Sequence, residues 1–392
     1  MNKKQISLKL SIGYLSDSYL PSSRANTVHV LKMCSAFAQN GANVTLFCNK
    51  QSDYDINEIR KAFNIASDYN ITAVPAKLKW KFQLIELALR KRKLIIQGNY
   101  DICYGRSLLA LFLIRNKLPF IYESHILPNR GIFVRLERIL LKHKNCCGLI
   151  VISQSLKEEY LKLFPFLKRE DVTVLHDGAD AFDGAYSEAD VPKELVEAHK
   201  QGPTIGYIGH LYPGKCMEVM MKIAQKMPDH MFHVIGGTDE WVRHWHIECN
   251  NGGINNIRFY GFIDNSKVNA CYQYLDIVLL PFSDNIYYNK DKKDDIGKYI
   301  SPLKLFEAMA CGKAIVASKL VSIEEVVNNG FNGLLVLPAE IDRWVELIRS
   351  LIVDEEYRME LGLNAKMTLE ESYSWNKRAQ TIYDMIKKSF LC

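Results

Sequence analysis

Short apolar runs alternate with helical patterns along almost the whole chain, and this alternation restricts the fold more than any other feature of the sequence. SLKLSIGYLS (7–16), ANVTLFCN (42–49), YDICYG (100–105), FIYESH (120–125), GLIVISQ (148–154) and VTVLHDGAD (172–180) read as strands of the first half. Continuous apolar strands of this kind are covered on both faces. NTVHVLKMCSAFAQNG (26–41) has helical spacing, with Val28, Leu31, Cys34, Ser35 and Ala38 on one side and Gly41 as a C-terminal stop. Repeated βα units of this type build a parallel, doubly wound sheet. Residues 181–202, polar and carrying Gly184, Pro192 and Gly202, read as a linker. The pattern restarts at TIGYIG (204–209) and runs through HVIGG (233–237), IRFYGF (257–262), IVLLPF (277–282), AIVAS (314–318) and GLLVLP (333–338). Helices follow over 340–353, 355–370 and 375–389. The expected class is α/β, with two doubly wound domains facing a cleft. The first spans 1–190 and the second 200–374, with the last helix, 375–392, packed back on the first.

The chain has 392 residues, which suits two domains of ordinary size. No apolar run reaches the ~18 residues of a membrane span. MNKKQISLKLSIGYLS at the N-terminus lacks the long apolar stretch of a secretory leader. The ten cysteines include no C-x-x-C pair, so reduced, mostly buried thiols in a cytoplasmic protein are expected. The net charge of +6 is modest, but its distribution is uneven. KLKWKFQLIELALRKRK (77–93) carries seven basic residues against Glu86 alone, interleaved with Trp80, Phe82, Leu84, Ile85, Leu87 and Leu89. RGIFVRLERILLKHK (130–144) is a second basic amphipathic stretch. These helices suit either an anionic membrane surface or a packed core with a solvated basic face. With no RNP motif, zinc finger or basic region beside them, nucleic acid is not expected as a partner.

The segment SPLKLFEAMACGKAIVAS (301–318) reads as a turn, a short helix and a strand. Pro302 pre-sets φ for the first helical turn. The amides of Ser301, Leu303 and Lys304 then point out of the helix start, where an anion is favoured. Lys304 adds a charge, and Glu307, one turn on, can accept from a diol. A pyrophosphate with a ribose attached needs those two features side by side. An ordinary helix–turn–strand with a surface glutamate fits the spacing equally well. A long charged loop, SDNIYYNKDKKDDIGKYI (283–300), stands directly before it.

GHLYPGKC (209–216) matches the phosphate-loop pattern except at its last position, where Cys216 replaces the hydroxyl that would hold Mg²⁺. HWHIEC (244–249) collects two histidines, a glutamate and a cysteine, but on a helix His244 and His246 point apart, so no metal is expected. There is no G-x-S-x-G elbow, and no G-x-G-x-x-G follows the first strand.

The 301–318 segment resembles the C-terminal signature of the family 4 retaining glycosyltransferases, which have the GT-B fold of two Rossmann-like domains. YESH, GLIVIS, HDGAD, the Lys215 loop, the Gly236 turn and IRFYGF follow the family order over nearly the whole chain. The resemblance implies a retaining transfer from a UDP- or GDP-sugar to a hydroxyl of a glycan or lipid-linked acceptor, in surface polysaccharide synthesis. No cofactor or metal would be required. Lys215, Lys304 and the helix start at Ser301, Pro302 and Leu303 would hold the diphosphate, and Glu307 the ribose. His125 would lie beside the transferred sugar. Gly236 and Gly237 would allow close approach of the donor. Phe262 would either stack on its base or pack in the core. Ser22, Ser23, Arg24 and Asn26 fall on the acceptor side, although Arg24 can equally be a solvated loop residue. The sequence departs from the family at three places. His210 replaces an arginine, Tyr299 stands where a first glutamate is usual, and PSSRANTVH (21–29) lacks the Gly-Gly of the family loop. A sugar-nucleotide 2-epimerase and a non-catalytic nucleotide-sugar-binding subunit are the competing readings. The expected location is the cytoplasm, either free or peripheral at the inner face of the membrane.

Overall fold

The computed structural model describes residues 9–65, 67–78, 82–128, 131–182, 184, 186–283 and 297–391. The first eight residues, Lys79, Trp80 and Lys81 of the first basic stretch, Arg130 of the second, and 284–296 of the charged loop lie outside the described residues. The chain divides into two compact units. The first comprises residues up to Ile152, Lys157–Leu175 and Trp375 onward; the second comprises Ser153–Leu156 and His176–Ser374. Residues 176–190, grouped with the first domain on sequence grounds, lie in the second unit.

The first unit holds a seven-stranded, wholly parallel sheet: β1 (Ser11–Leu20), β2 (Asn43–Lys50), β3 (Asn70–Pro75), β4 (Ile102–Gly105), β5 (Phe120–Ser124), β6 (Cys146–Val151) and β7 (Val172–Val174). Their order is β3-β2-β1-β4-β5-β6-β7. Helices α1 (Ala25–Gln39), α2 (Ile56–Ala62), α3 (Gln83–Gln97), α4 (Leu108–Ile114), α5 (Gly131–Leu141) and α6 (Gln154–Leu163) connect them. β3 is absent from the sequence reading because it is an edge strand, half exposed and without a continuous apolar run. α1 is buried on more than the expected stripe. Thr27, His29, Val30, Met33 and Phe37 are buried as well, whereas Ala38 is only partly so. The extra burial comes from α15 (Trp375–Leu391), which packs along α1.

The basic face of α3 is also narrower than expected. Lys91 is fully buried, donating to the Ser16 carbonyl at 2.6 Å and to Asp17 Oδ1 at 2.8 Å. Arg90 pairs with Glu86 at 2.8 Å. Lys91 therefore ties α3 to the end of β1 and does not belong to a solvated patch.

The second unit repeats the design with six parallel strands: β8 (Ile205–Ile208), β9 (Phe232–Ile235), β10 (Ile257–Gly261), β11 (Ile277–Leu280), β12 (Ala314–Ser318) and β13 (Leu334–Val336). Their order is β10-β9-β8-β11-β12-β13. Every residue of β8, β9, β11 and β12 is buried, His233 of β9 and Ser318 of β12 included, as strands covered on both faces require. The polar stretch 181–202 is not a bare linker. It contains α7 (Lys193–Gln201), and Val191, Leu195 and Val196 join the core of this unit. An amphipathic helix with a wide polar face reads as a linker when only its composition is considered. The nine described cysteines are all free, and all but Cys146 and Cys147 are buried.

In each sheet the strand order reverses next to the first strand, between β1 and β4 and between β8 and β11. The helices there leave toward opposite faces, so a crevice opens beyond the carboxyl ends of those strands.

Candidate active site

At the reversal point of the second unit the backbones come unusually close. A Cβ on Gly236, which has φ +110°, would lie 2.3 Å from the Gly209 carbonyl oxygen. The Gly236 amide donates to the Gly261 carbonyl at 2.7 Å, so the ends of β8, β9 and β10 are drawn together by backbone alone. Gly237, with φ +82°, has Leu211 where its side chain would be.

Into this corner reaches Lys304, the second residue of α11 (Leu303–Ala310). A Cβ on Gly209 would lie 2.5 Å from Lys304 Nζ and 2.8 Å from the Tyr207 hydroxyl, so a side chain there would displace the lysine. The ammonium donates to the Tyr207 hydroxyl, which donates in turn to the His210 carbonyl at 2.8 Å. Lys304 Nζ lies 5.4 Å and Lys215 Nζ 5.8 Å from the centroid of the same Phe282 ring. Two lysines thus share one pocket, and among the described residues neither forms an ion pair with a carboxylate. Burial, and then the charge of Lys215, push Lys304 down to about 7. Burial pushes Lys215 down to about 8. His210 stacks on Tyr212; the atoms packed around its ring, then the cations of Lys304 and Lys215, lower its pKa as well. A site that disfavours its own positive charge in this way is suited to an anion.

The helix start differs from expectation in detail. Pro302 is the residue before α11, with ψ 119°, and not part of its first turn. The Ser301 hydroxyl accepts the Asp177 amide at 2.8 Å, so it serves the loop. The amides of Leu303 and Lys304 are the first of α11. Glu307 follows one turn later and is partly buried. Phe262, beyond β10, is 58% exposed, which excludes the core-packing alternative. Tyr299 sits in a short 3₁₀ turn, Gly297–Tyr299, just ahead of the helix.

The phosphate-loop likeness of GHLYPGKC ends with the geometry. The Gly214 amide is taken by the Glu218 carboxylate at 2.8 Å. Cys216 is buried, and burial pushes its thiol up to about 12. Neither residue serves a phosphate–Mg²⁺ complex. His244 and His246, on α9 (Asp239–Asn251), make ring contacts with Trp245 and Phe259 respectively.

In the first unit, His125 follows β5, and its ring lies edge-on to His29 of α1 at 4.9 Å. The first turn of α1 and the end of β5 are therefore neighbours. Ser22 and Arg24 lead into α1, with the Arg24 amide donating to Ser22 Oγ at 3.3 Å. Ser23 and Arg24 are exposed. Asn26 Oδ1 is buried and has no hydrogen-bond partner among the described residues, a feature that a bound donor would relieve.

Two family models match this chain: Glycosyltransferase Family 4 over residues 27–181 and Glycosyl transferases group 1 over 192–368. Together they account for more than four-fifths of the sequence. The chain belongs to the family 4 glycosyltransferases of GT-B fold. It is 27% identical over 304 residues to an uncharacterised glycosyltransferase of Methanocaldococcus jannaschii, covering 76% of this chain and 68% of that one. It is 22% identical over 299 residues to the phosphatidyl-myo-inositol mannosyltransferase of Mycolicibacterium smegmatis, covering 73% and 70%. Among solved structures it resembles the Anabaena protein HepE in complex with UDP and glucose, with a TM-score of 0.71 and 19% identity over 97% of this chain and 100% of that one.

Within this glycosyltransferase, sequence reasoning missed the residues that surround the named ones. Tyr207 and Phe282 shape the lysine pocket, yet in sequence they are only apolar members of strands. Glu123 and His29 adjoin His125, and Arg378 in turn holds Glu123. A carboxylate inside the apolar run FIYES was the available signal, since a buried charge demands partners.

Proposed function

We propose that this glycosyltransferase moves a sugar from a nucleoside diphosphate sugar, UDP- or GDP-linked, to a hydroxyl of a glycan or lipid-linked acceptor with retention of configuration, in surface polysaccharide synthesis. The observation that carries the reading is the pair of lysines, Lys215 and Lys304, that share one pocket with no carboxylate ion pair among the described residues, at the reversal point of the second sheet and beside the first amides of α11. Negative charge grows on the leaving diphosphate as the glycosidic bond breaks. Fixed cations and amides aimed at it lower the barrier more than they stabilise the ground state. Glu307 accepts from the ribose diol, and exposed Phe262 offers a stacking face to the base. The co-structure of HepE with UDP and glucose supports this class of donor. His125, with Asn26, Ser22, Ser23 and Arg24, handles the sugar and acceptor in the first unit. Retention follows by front-face attack, a leaving-phosphate oxygen taking the acceptor's proton.

The acceptor is membrane-borne on this reading, with the enzyme at the cytoplasmic face. α3 and its approach expose Phe82, Leu84, Ile85 and Leu89, and α5 exposes Ile132 and Ile139. Lys93, Arg135 and Arg138 are exposed among them, and α4 packs against both helices. Exposed apolar residues interleaved with cations suit an anionic bilayer. A relative that is by name a phosphatidyl-myo-inositol mannosyltransferase supports a lipid acceptor. No helix among the described residues is long and apolar enough to cross a membrane.

A thermal-shift screen of UDP, GDP, ADP and their sugars names the donor, because a ligand that binds only the folded state raises apparent stability. Lys215→Ala and Glu307→Ala are each expected to cut transfer ~100-fold, about 2.7 kcal/mol of barrier. A loss under ~3-fold overturns the assignment. Epimerised sugar formed from the donor without any acceptor indicates the epimerase instead. Sedimentation with anionic vesicles, lost on reversing Lys93, Arg135 and Arg138, tests the membrane surface; equal sedimentation of both proteins refutes it.

A further inference from the structure

Behind His125 lies a buried polar cluster that the transfer reaction as described leaves unused. Glu123, on β5, is wholly buried. Its Oε1 lies 2.5 Å from His125 Nε2, 3.0 Å from His29 Nε2 and 3.1 Å from Arg378 Nη2. Its Oε2 accepts from the Tyr104 hydroxyl and lies 3.4 Å from Arg378 Nη1. Arg378 belongs to α15, the helix that closes the chain, and its Nη2 also donates to the Leu175 carbonyl at 3.3 Å. The His29 ring stands edge-on between His125 and Trp375, at 4.9 and 5.2 Å. Side-chain exposure decides which member can meet a ligand. Glu123, His29 and Arg378 have 0–2%, and His125 has 12%.

We propose that Glu123 is the positioning residue of His125, clamped by Arg378 of the C-terminal helix so that the His125 ring is held in one orientation and one tautomer, with Nε2 toward the carboxylate. This rests on the proposed role of His125 in transfer. A carboxylate oxygen accepts and never donates while ionised, so the ring nitrogen facing it carries the proton. His125 Nε2 is that nitrogen, so Glu123 fixes both the face of the ring and the position of its proton. Without Arg378 the carboxylate would face only imidazoles and a phenol, and its charge would be poorly balanced. The guanidinium fork fills both oxygens from one side and fixes the carboxylate plane. α15 is thereby a working part of the first unit's site, although 255 residues separate Arg378 from Glu123.

The test combines a spectrum with kinetics on the full chain. ¹⁵N-histidine NMR of the wild-type protein, with His125 assigned through His125→Asn, is expected to show the neutral ring protonated at Nε2. A ring protonated at Nδ1 overturns the proposal, whether or not transfer has been demonstrated. Glu123→Gln is expected to lose that tautomer preference and to lower kcat by about tenfold or more, with the donor KM within about threefold of wild type. A Glu123→Gln enzyme with wild-type kcat, alongside an inactive His125→Asn, overturns the positioning role and leaves the proposed function standing. A His125→Asn enzyme with wild-type transfer instead removes the role of His125 on which the proposal rests, and so overturns it.

Discussion

Two groups of charges withdrawn from solvent, one in each unit, are handled in opposite ways. Around Glu123 the chain supplies its own balance. Burial alone would raise the pKa of the carboxyl, but Arg378 and His29, with the hydrogen bond from His125, hold it well below the usual carboxylate range. Around Lys215 and Lys304 the balance is only partial: the charge of Glu307 acts on Lys304, yet burial outweighs it and both lysines are pushed toward neutrality. The first arrangement is finished when the chain folds. The second, on the proposed function, is completed by the donor's diphosphate. On the proposed function, the contrast separates a charge that maintains geometry from charges that receive a substrate.

Removing a charge should therefore have opposite consequences in the two places. Arg378→Met strands the buried Glu123 carboxylate and is expected to cost about 3–5 kcal/mol of stability, read by denaturant unfolding. Lys304→Ala removes a like charge from a crowded pocket. It is expected to leave unfolding unchanged or shift it upward while sugar transfer drops ~100-fold, about 2.7 kcal/mol. Equal destabilisation by the two variants would erase the contrast.

Glu137 supplies an intermediate case. It is buried on α5 and accepts from Tyr122 at 2.8 Å and Tyr160 at 3.0 Å. Burial outweighs both hydrogen bonds and raises its pKa to about 7. A raised folded-state pKa gives stability that is complete below the unfolded value and is lost as pH climbs to about 7. Glu137→Gln abolishes that dependence. From pH 5 to pH 8 the stability of the variant relative to wild type is expected to improve by roughly 2 kcal/mol. A constant difference would show that Glu137 does not titrate in this range.

The smallest effect concerns the nucleotide. Because a diphosphate favours charged lysines, affinity for UDP or GDP should weaken as pH rises from 7 to 9, by about tenfold or more, or ~1.4 kcal/mol. Affinity that is flat across this range would mean that the lysines are already charged or lie away from the nucleotide.

The fold was legible because both sheets are covered on both faces, which writes their strands as apolar runs such as IVLL and AIVAS. Where that cover fails, legibility failed too. β3 lies at an edge, α7 shows solvent a wide polar face, and α1 is buried by a helix more than 330 residues away, the separation of Asn40 from its partner Asn376. The same divide holds for the site. Lys304 and Glu307 fall within one turn of a helix and Lys215 within one loop, so local spacing found them. Tyr207 meets Lys304 across 97 residues and Arg378 meets Glu123 across 255, and no spacing encodes those meetings. Lys91 misled for the same reason. In sequence it completes the basic run RKRK, and in the fold it grips Asp17.

The account turns on whether Lys215 and Lys304 together receive a diphosphate. Titration calorimetry of UDP and GDP at pH 8, repeated in buffers of different ionisation enthalpy, measures the protons that accompany binding. Net uptake of about one proton per nucleotide, reduced in Lys304→Ala, is the predicted result. Binding with no proton uptake, unchanged by that substitution, would contradict it.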